Sequence, residues 1–412
     1  MPEFLELLPP GKALEKLLAH LPEPKLASER VPVAEALGRV TAEDIFAPEP
    51  LPGFDRSTVD GYAVRARDTY GASDTLPAYL MLAAEVPMGG KPDFLLQPGQ
   101  AALIHTGGML PEGADAVVML EHTQQAREGE IEVLRAVAVA ENILRQGEDV
   151  AAGALVLPAG TLLRPAEIGG LCALGLSTVT VTRPPRVALI SSGDEVVPPE
   201  QAANPGQVRD VNSYSLSALV EQAGGLPARY GIVPDRAEAM EQVITRALAE
   251  NDAVVITAGS SASTRDLTAD AIQRMGEPGV LVHGVNVRPG KPTILGVCAG
   301  KPVIGLPGNP VSALVIAHLF VRPVIRRLSG LKAGPRDPVV FGRLAVNLAS
   351  VAGREDYLPV TLSPDESAGY RVEPVYFKSN LIFTLAKADG LLHIPAAVTG
   401  YEAGATVRVL LI

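Results

Sequence analysis

Between residues 185 and 327, short apolar runs alternate with helical patterns, and this alternation limits the fold more than any other feature of the sequence. The run at 186–191 is a continuous apolar strand, and strand patterns recur at 228–233 and 253–257. Helical patterns occupy 213–223, 236–250, 268–275 and 311–328. Strands that alternate with amphipathic helices in this way predict a mainly parallel sheet that helices cover on both faces.

Two loops at the predicted carboxyl edge of this sheet, where parallel sheets bind ligands, are rich in glycine and proline. The loop at 287–292 carries Arg288 and Lys291, and the loop at 306–310 leads directly into a helical pattern. Glycine and proline fix tight backbone paths, and a helix start directs unpaired N–H groups outward. The loops therefore predict a site for phosphate or another oxyanion. The net charge of −11 argues against nucleic acid as a partner, so local cations must create this site.

The length of 412 residues is too great for a single core and predicts several domains. We expect a discontinuous linking region at 1–44 and 141–182, whose N-terminal helix can pack on the α/β domain. Between its two parts lies a β-rich domain at 45–140, followed by the α/β domain at 183–330 and a C-terminal β domain at 336–412. With no apolar run long enough for a bilayer, no secretory pattern at the start and only two cysteines, we expect a cytoplasmic protein without a membrane partner.

Four acidic residues stand at loop boundaries where the local pattern does not require them: Asp60, Asp149, Glu195 and Asp266. Carboxylates suit Mg²⁺ bridged to a phosphate better than they suit zinc. Aspartate at such positions also forms turns and caps helices, and for any one of the four that reading stays open. The sequence has no GxxxxGK[ST] phosphate loop, HExxH helix, GxSxG elbow or paired CxxC, which removes the commonest alternative sites.

Five motifs, at 54–65 (FDRSTVDGYAVR), 106–121 (TGGMLPEGADAVVMLE), 192–196 (SGDEV), 288–292 (RPGKP) and 305–313 (GLPGNPVSA), resemble the molybdopterin molybdenumtransferase family. This family includes the bacterial MoeA type and the gephyrin E-domain, and the similarity runs in order from about residue 10 to 410. The resemblance implies an elongated homodimer with a β-rich domain, a linking domain, an α/β molybdopterin-binding domain and a C-terminal β-barrel-like domain. It also implies that the site forms between the α/β domain of one subunit and the β-rich domain of the other.

The reaction that the resemblance implies is the last step of molybdenum cofactor biosynthesis. Adenylylated molybdopterin is hydrolysed and molybdate is inserted into its dithiolene, which releases AMP and forms the cofactor, with Mg²⁺ required. Matched motif by motif, Asp60, Asp149, Glu195 and Asp266 are catalytic, and Asp60, Glu195 and Asp266 hold the metal. The matched substrate-binding residues are Thr106, Ser261, Arg288, Lys291, Pro307, Asn309, Pro310, Arg354 and Ser379.

One loop departs from the family pattern. Most relatives have a Gly-Gly-Val-Ser-Val-Gly type of loop where this chain has Gly-Ser-Ser-Ala-Ser-Thr at 259–264, and arginine at 288 replaces the usual lysine. A tungstate-preferring paralogue and a non-catalytic cofactor carrier or scaffold therefore remain alternatives. The related molybdopterin adenylyltransferase shares the α/β domain, but the additional segments at 1–180 and 336–412 argue against it. Other enzymes of the pathway are possible docking partners.

Overall fold

The computed structural model describes residues 7–258, 262–332, 337–366, 369–376 and 378–412, without the side chains of 262–266. The first 182 residues contain two α-helices and twelve short strands among those described. In chain order they are α1 (Pro10–Ala19), β1 (Ser28–Pro32), β2 (Ile45–Phe46), β3 (Arg56–Ser57), β4 (Gly61–Val64), β5 (Ala78–Glu85), β6 (Gln100–Ile104), β7 (Ala116–Met119), β8 (Thr123–Arg127), β9 (Glu130–Val133), β10 (Ile143–Leu144), β11 (Leu155–Leu157), α2 (Pro165–Ala173) and β12 (Thr178–Thr182).

Strands β4 to β9 form one six-stranded sheet in the order β7-β4-β6-β5-β9-β8. Neighbouring residues of β4 point to opposite faces, so that Val64 joins one apolar cluster with Leu80 while Ala63 joins another with Ile104. Both faces of this sheet are therefore covered by apolar side chains from its own connections, and the module has its own core.

The segments before and after this sheet pair with each other. Strand β1 pairs with β12, β2 with β11 and β3 with β10, all antiparallel. Val33, Leu163, Leu171 and Val181 are buried together in a small core between them. Val33–Glu35 forms a single 3₁₀ turn within this region. Helix α1 packs elsewhere, because Ala13 and others on its apolar face belong to the core of the α/β sheet.

Residues 183–332 contain the alternating elements. They are β13 (Arg186–Ser192), β14 (Val196–Val197), β15 (Val208–Arg209), α3 (Asn212–Gln222), β16 (Leu226–Val233), α4 (Ala237–Glu250), β17 (Ala253–Ala258), α5 (Ala262–Arg274), β18 (Pro278–His283), β19 (Val287–Arg288), β20 (Ile294–Cys298), β21 (Lys301–Pro307), α6 (Pro310–Ile316) and α7 (Arg322–Leu328). A π-helical turn, Ala317–Val321, joins the last two helices. Pro323 explains this turn, since proline cannot donate the hydrogen bond of a regular α-helix at that point.

The main sheet has the order β16-β13-β17-β21-β20-β18, and its first four strands are parallel. Strand β20 is antiparallel to both of its neighbours. Val187 and Leu189 face the core shared with α3 and α6, whereas Ala188 and Ile190 face the core shared with α4. The predicted mainly parallel sheet, covered on both faces, is confirmed.

The C-terminal residues form a closed barrel. Their elements are β22 (Val339–Leu344), β23 (Leu348–Ala349), β24 (Glu355–Asp365), β25 (Gly369–Pro374), α8 (Phe383–Ala386), β26 (Gly390–Ile394), β27 (Gly400–Tyr401) and β28 (Thr406–Leu411). The ring β24-β25-β22-β28-β26 closes because β26 also pairs with β24. The predicted β-barrel-like domain is therefore confirmed.

One strand outside the barrel connects it to the α/β segment. Strand β19 runs parallel to the start of β24 and places Arg288 opposite Asp356. This pairing determines the position of the first glycine- and proline-rich loop. Among the described residues, no helix is long and apolar enough to cross a membrane. The sequence-based domain limits stay a prediction.

Candidate functional site

A cleft of about 720 Å³ lies where β19 meets the barrel, and four cationic side chains line it. Arg288 and Lys291 come from the first loop, Arg354 precedes β24, and Lys378 follows β25. The described residues that line this cleft include no carboxylate. A pocket with this lining attracts an anion strongly even in a protein whose net charge is negative. We call it the cationic cleft.

The first loop is held rigidly in place. The Thr293 hydroxyl donates to the Gly290 carbonyl over 2.6 Å, and the Val285 N–H donates to the Lys291 carbonyl over 2.9 Å. Gly290 has a φ of 107°, and a Cβ there would lie 2.2 Å from Cγ1 of the buried Ile316. Only glycine fits this position without a shift of the loop. The backbone thus fixes the positions from which the side chains of Arg288 and Lys291 extend.

The second loop, residues 307–310, is held from both sides. The Asn212 amide donates to the Gly308 carbonyl over 2.7 Å, and the Asn309 amide donates to Ser379 Oγ over 3.0 Å. The Ser379 carbonyl accepts from the Val311 N–H over 3.0 Å. The expectation that this helix start presents free N–H groups is therefore wrong for Val311. In this cleft the side-chain cations, rather than that N–H, are available to an anion.

A second cleft of about 580 Å³ lies at the carboxyl ends of β13 and β17, and it shares Gly308 and Asn309 with the cationic cleft. Glu195, Ser191 and Thr257 are among its polar lining residues. We call it the polar cleft. Because residues 308 and 309 line both spaces, a ligand that fills one cleft lies next to a ligand in the other.

Negative charge concentrates beside the polar cleft. Asp235 follows β16 and accepts a 3.0 Å hydrogen bond from the Ser192 hydroxyl. Burial raises the pKa of the Asp235 carboxyl, and the charges of Asp194 and Glu195 add to the rise. The sequence reasoning missed Asp235, although it stands in the loop after a predicted strand, as Glu195 does.

Asp60 and Thr106 form a separate unit in the β-rich sheet. The Asp60 carboxylate accepts from the Thr106 N–H over 2.7 Å and from its hydroxyl over 3.1 Å. These hydrogen bonds, with a smaller contribution from the charge of His105, lower the pKa of Asp60. The exposed Asp149 lines a different cavity, of about 220 Å³, beside Leu51. Neither carboxylate lines the cationic or the polar cleft.

The structure thus divides the predicted site residues among four places, and one of these is the cavity beside Leu51 that Asp149 lines. Arg288, Lys291, Pro307, Asn309, Arg354 and Ser379 line the cationic cleft, Glu195 and Pro310 line the polar cleft with Asn309, and Asp60 stands with Thr106. Ser261 and the side chain of Asp266 lie outside the described residues. Within the described part, no three histidine, cysteine or acidic side chains converge on a possible metal position. The roles assigned to these residues stay predictions.

Three family models match consecutive parts of the chain. They describe the MoeA N-terminal region (domain I and II) at residues 8–175, a probable molybdopterin binding domain at 188–327, and the MoeA C-terminal region (domain IV) at 342–412. A putative molybdopterin biosynthesis protein of Methanocaldococcus jannaschii is 38% identical, over 97% of this chain and 95% of its own length.

Further relatives agree with these matches. A molybdopterin molybdenumtransferase of Nostoc sp. is 37% identical over 94% of this chain and 90% of its own length. The crystal structure of a molybdopterin biosynthesis MoeA protein from Pyrococcus horikoshii OT3 superposes with a TM-score of 0.85, at 34% identity, and covers 99% of this chain and 100% of that one. On these matches, the chain belongs to the molybdopterin molybdenumtransferase (MoeA) family.

Proposed function

We propose that this protein inserts molybdate into adenylylated molybdopterin, releasing AMP and forming the molybdenum cofactor. The observation that carries the proposal is the cationic cleft, with four cations and no described carboxylate in its lining, joined to the polar cleft through Gly308 and Asn309. Relatives at 36–37% identity that cover most of this chain are named for the same transfer.

The division into two clefts suits a reaction between an oxyanion and an organic substrate. Molybdate is a tetrahedral dianion, and the planar guanidinium groups of Arg288 and Arg354 can each donate two hydrogen bonds to it. The polar cleft offers hydroxyl, amide and carboxylate groups for the pterin and the phosphoanhydride. Ligands held on both sides of the 308–309 backbone would meet there, so that the binding energy brings the reacting groups together.

Mg²⁺ belongs to the proposal as the counter-ion of the phosphoanhydride. Burial is the main cause of the raised pKa of Asp235, and the charges of Asp194 and Glu195 add to it, so a divalent cation beside these carboxylates would relieve their repulsion. Glu195 and Asp235 would hold the ion, together with Asp60 and Asp266, the other two metal ligands that the family resemblance implies. When bound, the ion would neutralise phosphate charge and polarise the bond that breaks.

We further propose that the working unit is a homodimer with the site between subunits. Asp60, Thr106 and Asp149 belong to the part of the chain that lines neither cleft. The corresponding part of a partner subunit would bring them to the polar cleft. Both cysteines are free thiols, in keeping with the predicted reducing cytoplasm.

The primary test supplies the purified protein with adenylylated molybdopterin, Mg²⁺ and molybdate and measures AMP release and cofactor formation. We expect both products. If the wild type releases no AMP, the transferase proposal fails and a carrier role is favoured. Replacing molybdate by tungstate in the same assay measures which oxyanion the site prefers.

A complementation experiment tests the shared site. We expect Asp60→Asn and Glu195→Gln each to abolish most of the turnover while the thermal unfolding curve stays unchanged. Unfolded and refolded together, the two variants form mixed dimers in which one of the two sites is wild type, which restores about a quarter of the wild-type activity. Each variant refolded alone is the control. A mixture as inactive as the controls would contradict a site built from two subunits.

A further inference from the structure

Asp356 lies fully buried behind the cationic cleft, with no exposed surface, between two of the cleft's arginines. Its Oδ1 accepts from Arg354 Nε over 3.0 Å, and its Oδ2 accepts from the Ser350 hydroxyl over 2.9 Å. Nη1 of Arg288 lies 3.8 Å from the same Oδ2. One carboxylate therefore contacts two cations that come from different parts of the fold.

Removing a carboxylate from water is costly unless hydrogen-bond and ionic partners compensate for the lost hydration. The partners of the Asp356 carboxylate are the Ser350 hydroxyl and the guanidinium groups of Arg354 and Arg288. Its negative charge also opposes the binding of any anion in the cleft in front of it. Charge alone would thus favour a neutral residue here. The benefit must come from geometry.

The geometry of the pairing is specific. Arg288 ends β19 on the α/β side, Arg354 precedes β24 on the barrel side, and Arg288 and Asp356 are register partners in the ladder. The Asn286 side chain also donates to the Gly353 carbonyl, and the Glu355 N–H donates to the Asn286 carbonyl over 3.1 Å. The two arginines are thereby fixed relative to each other across the junction.

The arginines keep donors for a ligand. Arg354 uses its Nε on Asp356, and among the described residues neither of its terminal nitrogens has a protein acceptor. Four cations and one carboxylate leave a net charge of three positive units, which suits a dianion better than a monoanion. Aligned guanidinium groups lose little freedom when a tetrahedral oxyanion binds.

We propose that Asp356 is the positioning residue of the oxyanion site, holding Arg288 and Arg354 in the arrangement that binds a tetrahedral dianion. This inference rests on the proposed function, because it assigns molybdate to the cationic cleft. Asp356 acts through the arginines and does not touch the oxyanion itself.

The sign of one mutational effect separates this role from a purely electrostatic one. Asp356→Asn keeps the shape but removes the negative charge. If Asp356 acted only through its charge, molybdate would bind more tightly to the variant. If it positions the arginines, molybdate binds more weakly, because an amide presents an oxygen to one guanidinium group and an NH₂ group to the other.

The experiment measures molybdate binding to the full-length protein by isothermal titration calorimetry, with thermal unfolding as the check on folding. We expect a loss of affinity of about tenfold or more for Asp356→Asn. Ser350→Ala removes one support and leaves the charge, so a smaller loss of about threefold is expected. In turnover, both variants should raise KM for molybdate far more than they lower kcat.

Asp389→Asn is the matched control. Asp389 accepts a hydrogen bond from the Leu362 N–H within the barrel and lines neither cleft. Its affinity for molybdate should equal that of the wild type. Unchanged or tighter binding by a folded Asp356→Asn variant would overturn the inference, and if that variant does not fold, unchanged binding by Ser350→Ala would overturn it. A wild type that binds no molybdate would instead refute the proposed function, and this inference with it.

Discussion

Replacing Gly290 by alanine tests whether the backbone of the first loop determines oxyanion binding. The new methyl group would lie 2.2 Å from Cγ1 and 2.4 Å from Cδ1 of Ile316. Ile316 is fully buried among Phe320, Val321 and other core residues, so it cannot turn away without strain. The loop must therefore move instead, by about 1.2 Å or more before the contact becomes an ordinary one.

Two effects of different size follow. The φ of 107° is unfavourable for alanine and costs about 1–2 kcal/mol. In addition, the shift displaces Arg288 and Lys291, which flank Gly290 in the loop. A displacement of about 1 Å in a positioning element can reduce turnover by about a hundredfold. We expect molybdate affinity and kcat/KM to fall by one to two orders of magnitude while the chain stays folded.

Gly129→Ala is the matched control, because Gly129 also has a positive φ, of 77°, but has open space where the Cβ would be placed. Both variants should lose similar stability from the backbone, and only Gly290→Ala should lose molybdate binding in calorimetry. Combining Gly290→Ala with Ile316→Ala should restore affinity, although the cavity lowers the unfolding temperature further. Wild-type affinity in the single Gly290→Ala variant would refute the reasoning.

Three further outcomes are expected. Asp235→Asn should raise the unfolding temperature at neutral pH, because the raised pKa of this carboxyl means that its ionisation destabilises the folded state. This gain should disappear as the pH falls below the ordinary pKa of 3.8. Scanning calorimetry at several pH values would contradict this if the difference in unfolding temperature between variant and wild type stayed constant. A thiol reagent should label Cys172 but not Cys298 in the native protein, since burial raises the pKa of the Cys298 thiol to about 11, and equally fast labelling of both would be contrary to this. Molybdate affinity should fall several-fold between about 0.05 and 0.5 M KCl as salt screens the four cations, whereas a salt-independent affinity would place the oxyanion elsewhere.

The main sheet was predictable because its signal is local. A buried strand such as 186–191 is apolar along its whole length. Helical patterns between such strands are compatible with only a few sheet topologies. The π-helical turn at Ala317–Val321 was not predicted, since the pattern at 311–328 reads as one continuous helix. Its cause, Pro323, is visible in the sequence. Whether the helix responds to this proline with a kink, a break or a π-helical turn depends on how the surrounding helices pack.

The cations of the site were predictable for a different reason. Arg288 and Lys291 stand among glycine and proline, where a long side chain has no packing role. Asp356 could not be found in this way, because it follows Glu355 at the start of a strand, and aspartate is exposed to solvent in most proteins. Its carboxylate contacts Arg288, which stands nearly seventy positions earlier in the chain. Only the pairing of β19 with β24 brings the two together.

The arrangement of charges explains why the proposed reaction uses both clefts. In that proposal, carboxylates that hold a divalent cation and arginines that hold a dianion would neutralise each other if they shared one cavity. Here the loop at 307–310 lies between them, with Glu195 on one side and Arg288 and Lys291 on the other. Asp356, the carboxylate that contacts both arginines, is buried behind them rather than exposed in the cleft. A protein of net charge −11 can in this way keep a strongly positive cavity. Of the carboxylates near it, Glu195 lines the other cleft, and Asp356 is paired with the two arginines.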